Sequence, residues 1–283
     1  MIVYYNGSYL EKEKVRISPD DRGFLFGDGT YEVIRVYNNR IFHMPDHLKR
    51  LKRSLHEIQI NDLDVSSLQE VGKTLIRKNP DIAGDAALYI QITRGVAPRV
   101  HRFPEITRPT IYMSLSGSAV DPEIRSQGVK IILLPDERWG RCDIKSISLL
   151  ANVLAAEEAR KQNAYESVFV RDDDITEGTR TNIAAVFDGV VHTHPTGPHI
   201  LGGITRDVVL ELCSNLQITV IEKPVSKSRL LEADEIFLMG TSTEIGPVVC
   251  VNDTQVRDGC PGPLTKKLQT AFRSEISSQT ASD

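Results

Sequence analysis

The small, polar stretch Ser116-Gly117-Ser118-Ala119-Val120-Asp121-Pro122 most constrains what this chain can fold into. At 283 residues the chain exceeds the size at which a single hydrophobic core usually stops growing. Two packed subdomains are therefore expected, and this stretch is the best place to join them. The reading places an N-terminal small domain over 1–117, a linker over 118–122 and a larger C-terminal domain over 123–283, with a polar tail at 274–283 expected to fray. A composition of 40% apolar and 25% charged residues, with a formal net charge of −4, is that of an ordinary globular chain. It gives no reason to expect a nucleic-acid partner.

No apolar run approaches the length needed to cross a bilayer, so no membrane association is expected. The opening Met1-Ile2-Val3-Tyr4-Tyr5-Asn6-Gly7 has the pattern of a strand and turn, without a signal-peptide core, so a cytoplasmic setting is expected. Cys142, Cys213, Cys250 and Cys260 form no Cys-x-x-Cys pair and read as free thiols.

Short β-type runs at 2–5, 15–17, 31–37 and 40–43, separated by Asn-rich turns, predict a hairpin-rich sheet. Leu48, Leu51, Leu55 and Ile58 recur at helical spacing after Pro45, and 65–78 forms a second amphipathic pattern, so two helices should cover that sheet. Residues 87–93 and 110–115 are strand-like and flank a Pro-containing loop over 95–108. Beyond the linker, strands are expected at 129–134, 166–171, 184–187, 190–192, 218–222 and 235–239, with helices at 149–162 and from 202 to about 213. The fold class expected is α+β, or mixed α/β: a small N-terminal α/β domain and a larger C-terminal β-rich domain with helices outside.

Several residues have the right chemistry for a site, each beside a plainer reading. Lys145, in Arg141-Cys142-Asp143-Ile144-Lys145-Ser146, lies between a strand and a helix, where a side chain can reach a cleft or simply be a solvated charge. An amine so held could form a Schiff base with a carbonyl cofactor, and a carboxylate such as Glu177 in Thr176-Glu177-Gly178-Thr179 could keep a pyridine ring protonated. Alone, Glu177 reads as a turn residue after Asp172-Asp173-Asp174, a run that lacks the glycine and distal glutamate of a calcium loop.

Gly202-Gly203-Ile204-Thr205-Arg206 opens a helical pattern whose first N–H groups suit a phosphate, although a glycine turn capped by Thr205 fits equally well. Gly240-Thr241-Ser242-Thr243 is a second hydroxyl-rich loop, and Arg50 could add charge. Arg99 and His101, two apart in an extended loop, point the same way and could hold a carboxylate or form a solvated basic loop. His192-Thr193-His194 has the same spacing without a third ligand, so no metal is expected.

These segments also occur in the order and spacing of a known family. Asp21-Arg22-Gly23, Phe26-Gly27-Asp28-Gly29-Thr30-Tyr31-Glu32-Val33, Thr93-Arg94-Gly95, Pro98-Arg99-Val100-His101-Arg102-Phe103-Pro104, Arg138-Trp139-Gly140-Arg141-Cys142-Asp143-Ile144-Lys145-Ser146 and Gly203-Ile204-Thr205-Arg206-Asp207-Val208-Val209 together resemble the fold-type IV pyridoxal phosphate aminotransferases. Within that family they resemble the bacterial enzymes specific for D-amino acids, and the likeness covers nearly the whole chain.

The resemblance implies a two-domain fold of that type, with pyridoxal 5'-phosphate held by the C-terminal domain. The cofactor would be bound by Lys145, the Schiff-base lysine and acid/base, by Glu177 at the pyridine nitrogen, and by Arg50, Ile204, Thr205 and Thr241 at the phosphate. Leu201 would pack on the ring and Tyr31 would lie near the cofactor's phenolic oxygen. Tyr31, Val33, Arg99, His101, Arg180 and Ser242 would meet the substrate.

The activity implied is ping-pong transamination of a D-amino acid such as D-alanine, D-glutamate or D-aspartate with 2-oxoglutarate or another 2-oxo acid. The active unit implied is a homodimer in which Arg99 and His101 reach the neighbouring subunit's site. L-branched-chain aminotransferases and aminodeoxychorismate lyases share the lysine and the glutamate. Two positions depart from the pattern of the D-specific enzymes: Arg180 replaces a small hydroxyl residue and Gly240 replaces a serine.

Overall fold

A computed structural model describes residues 1–61, 63–82 and 84–281. The chain divides into two compact units, Met1–Ala119 with Ile144–Leu149, and Val120–Asp143 with Leu150–Asp283. Residues 144–149, placed by the sequence reading in a continuous second domain, thus belong to the first unit. The reason is backbone pairing. Tyr31 N donates to Lys145 O at 3.0 Å, Ile147 N donates to Gly29 O at 3.1 Å, and Thr30 bridges Ser146, so the segment is held alongside the strand Gly29–Tyr37.

The first unit is built on a six-stranded antiparallel sheet in the order Ser8–Glu11, Ile2–Tyr5, Thr110–Gly117, Ala86–Thr93, Gly29–Tyr37, Arg40–Ile41. Asn38 and Asn39 have φ of 48° and 64°, the left-handed pair that a tight two-residue hairpin requires. The helices Met44–Glu57 and Leu68–Lys78 bury Leu48, Leu51, Leu55 and Leu75 in one cluster with Leu88, Ile90 and Ile92 of the sheet. The expected strand at 15–17 is absent: a 3-10 turn at Lys12–Lys14 precedes it and Pro19 follows, so the run stays outside the sheet.

The second unit carries a nine-stranded mixed sheet. Eight strands run in the order Val220–Glu222, Val190–Thr193, Asn182–Phe187, Glu235–Gly240, Glu244–Val251, Val129–Pro135, Glu166–Arg171, Asp174–Gly178, and Thr254–Gln255 pairs with Glu244–Val251. Its apolar cluster includes Ile131, Val168, Ile183, Ile236 and Leu238, and the helices Leu150–Lys161, Ile204–Asn215 and Pro263–Ala281 belong to the same unit.

Glu244–Val251 is not evident in the sequence because Gly246-Pro247 reads as a loop. Pro247 nevertheless fits the sheet, because pairing with Val129–Pro135 begins only at Val248. The expected frayed tail is helical as far as Ala281, with Leu268 and Phe272 buried and Ser277 Oγ donating to Arg273 O at 3.0 Å. Ser282 and Asp283 lie outside the described residues. All four cysteines are free, and among the described residues no helix is long and apolar enough to cross a membrane.

Candidate active site

In the first unit, the Lys145 segment is held at its backbone, with Lys145 N donating to Ser54 Oγ at 3.2 Å, while the half-buried side chain places Nζ 4.4 Å from the centre of the Tyr31 ring. Tyr31 and Val33 alternate with buried Glu32 and Ile34, so both present half-buried side chains on one face of their strand. On the neighbouring strand Tyr31 is opposite Gln91 and Val33 is opposite Tyr89, whose ring lies 6.0 Å from that of Tyr31. Tyr89 Oη donates to Gln91 Oε1 at 2.6 Å, and burial, with Tyr31 and Tyr112 nearby, pushes its phenol up to about 12. Sequence reading passed over Tyr89 and Gln91. Their signal was the polar alternation within 87–93, and only the strand register shows what they face.

Arg50, expected to meet a phosphate, makes a fork to Glu32: Nε to Oε1 at 2.8 Å and Nη2 to Oε2 at 2.7 Å. His47 Nδ1 lies 2.8 Å from the same Oε2. Burial raises the Glu32 pKa, but Arg50 and His47 outweigh it and hold the carboxyl at about 2. Burial lowers the His47 pKa, the Arg50 and Lys145 charges add to that effect, and Glu32 opposes it.

Both groups make the fold acid-sensitive. Below the ordinary glutamate value of 4.5 the unfolded chain takes up a proton that folded Glu32 refuses until about pH 2, so stability falls across that window. The loss is on the order of 3 kcal/mol. His47 acts with the same sign as pH falls below its ordinary 6.5. Glu32→Gln is expected to flatten the stability profile between pH 4.5 and 2, measured by denaturant titration at each pH. An unchanged slope would show that Glu32 carries none of the effect.

Arg99 and His101 lie exposed on the 95–108 loop and turn to one ring: the Arg99 guanidinium sits 5.5 Å from the Phe26 centroid and the His101 ring 5.6 Å from it, edge-on.

In the second unit, Glu177 is a buried strand residue, not the turn residue its plain reading suggested. The turn falls earlier, at Asp172 and Asp173, which have φ of 51° and 71°. Its carboxylate takes Arg138 Nη1 on Oε1, and Leu201 N at 2.9 Å and Asn182 Nδ2 at 3.3 Å on Oε2. Arg138 also forks onto Asp136, with both bonds at 2.9 Å. Burial works against the charge of Arg138, yet Asp136 and Glu177 raise its pKa above the ordinary arginine value. In the sequence Arg138 is only one residue of a motif, and its pairing with Glu177 depends on contact across 39 positions.

Asn182 Nδ2 also donates to Leu201 O at 2.9 Å, and a Cβ on Gly203 would clash with Asn182 Oδ1. Leu201 is thereby held on both sides, just before the helix that starts at Ile204 with Gly203 as its N-cap. The N–H groups of Ile204 and Thr205 are in its first turn, where no intrahelical acceptor exists.

Strand pairing of Asn182 with Met239 brings Arg180-Thr181 to the same sheet end as Gly240-Thr241-Ser242, and a Cβ on Gly240 would come within 2.9 Å of Thr181 Cγ2 and 3.4 Å of Arg180 O. The Arg180 guanidinium lies 4.8 Å over the Tyr165 ring, and Tyr165 Oη lies 2.7 Å from Thr243 Oγ1. The two departures noted in the sequence are therefore neighbours. His192 packs edge-on to Phe187 at 5.3 Å, and His194 Nδ1 lies 2.7 Å from Pro195 O.

The first unit thus carries an amine beside Tyr31, and the second carries a buried carboxylate paired with Arg138 and a helix start led by Gly203. The family model of the class IV amino-transferases matches residues 29–251, and the chain belongs to that family and is an aminotransferase. It is 40% identical to the D-alanine aminotransferase of Bacillus licheniformis over 289 aligned residues, covering 99% of each chain. It is also 40% identical to the D-alanine aminotransferase of Staphylococcus epidermidis, over 98% of this chain and 99% of that protein. Among solved structures, the branched-chain amino acid aminotransferase of Escherichia coli matches with a TM-score of 0.85 at 28% identity, over 96% of this chain and 92% of that one.

Proposed function

We propose that the chain transfers the amino group of a D-amino acid to a 2-oxo acid, with pyridoxal 5'-phosphate carried on Lys145. The observation that supports this most directly is the Glu177 carboxylate, buried and bonded to Arg138, the Leu201 N–H and Asn182. A buried carboxylate so fixed is what a protonated pyridine nitrogen requires. The residues present fit the group: an amine for its carbonyl carbon, an anion for its ring nitrogen, and helix-start N–H groups for its phosphate. When bound, the cofactor supplies a carbonyl carbon that joins the substrate amine and a ring that takes up the electron pair released at Cα.

Lys145 would hold the cofactor through its Nζ, and the same amine, once free, would serve as the base and acid for the substrate's Cα proton. Tyr31, 4.4 Å from Nζ across its ring face, orients that amine. Leu201 would pack on the ring, and the Ile204 and Thr205 N–H groups with the Thr241 hydroxyl would hold the phosphate, to which Arg50, paired with Glu32, would add positive charge. Tyr31, Val33, Arg99, His101, Arg180 and Ser242 form the substrate side, with Arg99 and His101 gripping its carboxylate. The functional unit is a homodimer in which these two serve the adjoining copy's site. A cytoplasmic setting agrees with four free thiols.

Mixing the purified holoenzyme with single amino acids tests the stereochemistry. D-alanine or D-glutamate should change the cofactor absorbance faster than either L-enantiomer, and faster change with L-leucine would overturn the D-specific reading in favour of a branched-chain enzyme. Arg99→Ala should lower kcat/KM for D-alanine by roughly 10- to 100-fold, the value of one charge-assisted contact. If kcat/KM is unaffected, the carboxylate is held elsewhere, with Arg180 the first alternative.

A further inference from the structure

Arg99 and His101 are exposed residues on a loop, a poor place from which to hold a small carboxylate. Fixing a long side chain on binding costs rotamer freedom, so affinity depends on how far the free protein has already ordered it. The first unit contains the parts for such ordering. Arg22 is buried at the start of the five-residue helix Arg22–Phe26, which is capped by Asp21, whose side chain accepts from Gly23 N and from Thr110 Oγ1 at 2.6 Å.

The Arg22 guanidinium makes three hydrogen bonds. It donates to Asp28 Oδ2 at 2.8 Å, to Val100 O at 2.6 Å and to His101 O at 3.3 Å, the carbonyls that follow Arg99 in the chain. It also lies 4.8 Å over the Phe26 ring, the ring on which the Arg99 guanidinium and the His101 imidazole rest. Arg94 anchors the other side: it forks onto Asp28, donates to Ile58 O at 2.6 Å and stacks 3.6 Å over Phe103. Backbone and side chains of the 99–101 segment are thus tied to one small assembly.

We propose that Arg22 and Phe26 form a platform that presets Arg99 and His101 for the substrate carboxylate, which makes both positioning residues for this reaction. The proposal rests on reading Arg99 and His101 as carboxylate ligands. Arg22 sets the loop backbone through two carbonyls, and Phe26 sets the two side chains through its ring.

Steady-state kinetics with D-alanine, together with inhibition by propionate, a carboxylate without an amine, test it on the holoenzyme. Phe26→Leu is expected to raise the KM for D-alanine and the Ki of propionate together by about five- to tenfold, with kcat within about twofold, because uniform binding is what is lost. Phe26→Tyr keeps the ring and should restore both constants. Arg22→Lys should shift them in the same direction as Phe26→Leu, since an ammonium cannot span Asp28 and two carbonyls.

If Arg99→Ala raises both constants while Phe26→Leu and Arg22→Lys leave them at the wild-type values, the platform is refuted and the carboxylate reading stands. If Arg99→Ala changes neither constant, the carboxylate reading is wrong and the platform falls with it. A fall in kcat with unchanged Ki would likewise refute positioning of the carboxylate.

Discussion

Lys145→Ala should abolish transamination while the protein remains folded. The backbone of residue 145 is held by bonds that do not involve its side chain, Lys145 N to Ser54 Oγ and Tyr31 N to Lys145 O, and an alanine keeps both. What it loses is the amine facing Tyr31 at 4.4 Å, which on the proposed reading both attaches the cofactor and takes the Cα proton. The proton-transfer function alone is worth roughly 10²- to 10⁴-fold.

The cofactor should still bind, now non-covalently, because the proposed ligands of its ring nitrogen and phosphate are intact. Single-turnover absorbance with D-alanine and a cofactor-binding titration of the variant check both halves. Turnover at the wild-type rate would sink the assignment of Lys145.

Arg138→Leu should be the most destabilising of the substitutions considered. Arg138 is the shared cation of Asp136 and Glu177, both nearly inaccessible, and its guanidinium also stacks 4.3 Å over Phe169. Leucine fills part of the volume but removes the cation that Asp136 and Glu177 share, while Arg171 stays 3.2 Å from Asp136. Removing one member of a buried pair costs about 3–5 kcal/mol, seen as a fall in the denaturant midpoint.

The pH dependence of that cost has a definite sign. Burial raises the Asp136 pKa, but Arg138 and Arg171 bring it below the ordinary carboxylate value, so wild-type stability from this group is lost as pH falls. The gap between wild type and variant should narrow in acid, where protonation removes the uncompensated charge. A gap that widened in acid, or a midpoint equal to wild type at neutral pH, would contradict the ion-pair account. Arg138→Lys keeps the charge without the planar fork and should fall between the two.

Local pattern made the two-helix cover of the first sheet legible. Leu48, Leu51 and Leu55 repeat at the helical period, and that period is decided within a few residues. The same holds for Asn38-Asn39, where two residues tolerant of positive φ specify the hairpin. Glu244–Val251 was not legible, because Gly246-Pro247 carries a loop signal that pairing with Glu235–Gly240 overrides. The strand containing Glu177 was hidden for a related reason: Asp172-Asp173 marks a turn correctly, and local propensity then extends that turn too far.

The amino-acid sequence by itself specified the reactive groups and their order along the chain: an amine at Lys145, a carboxylate at Glu177, glycine-led loops at Gly203 and Gly240, a guanidinium at Arg99 and an imidazole at His101. Side-chain chemistry belongs to the residue and needs no neighbour to define it. Only the tertiary structure decided that Glu177 is paired with Arg138, that Lys145 belongs with the unit of Tyr31, that Arg50 is engaged by Glu32, and that Phe26 lies under Arg99 and His101. Each of these depends on contacts between distant positions, where strand register and burial set the distance and dielectric that give a charged group its function.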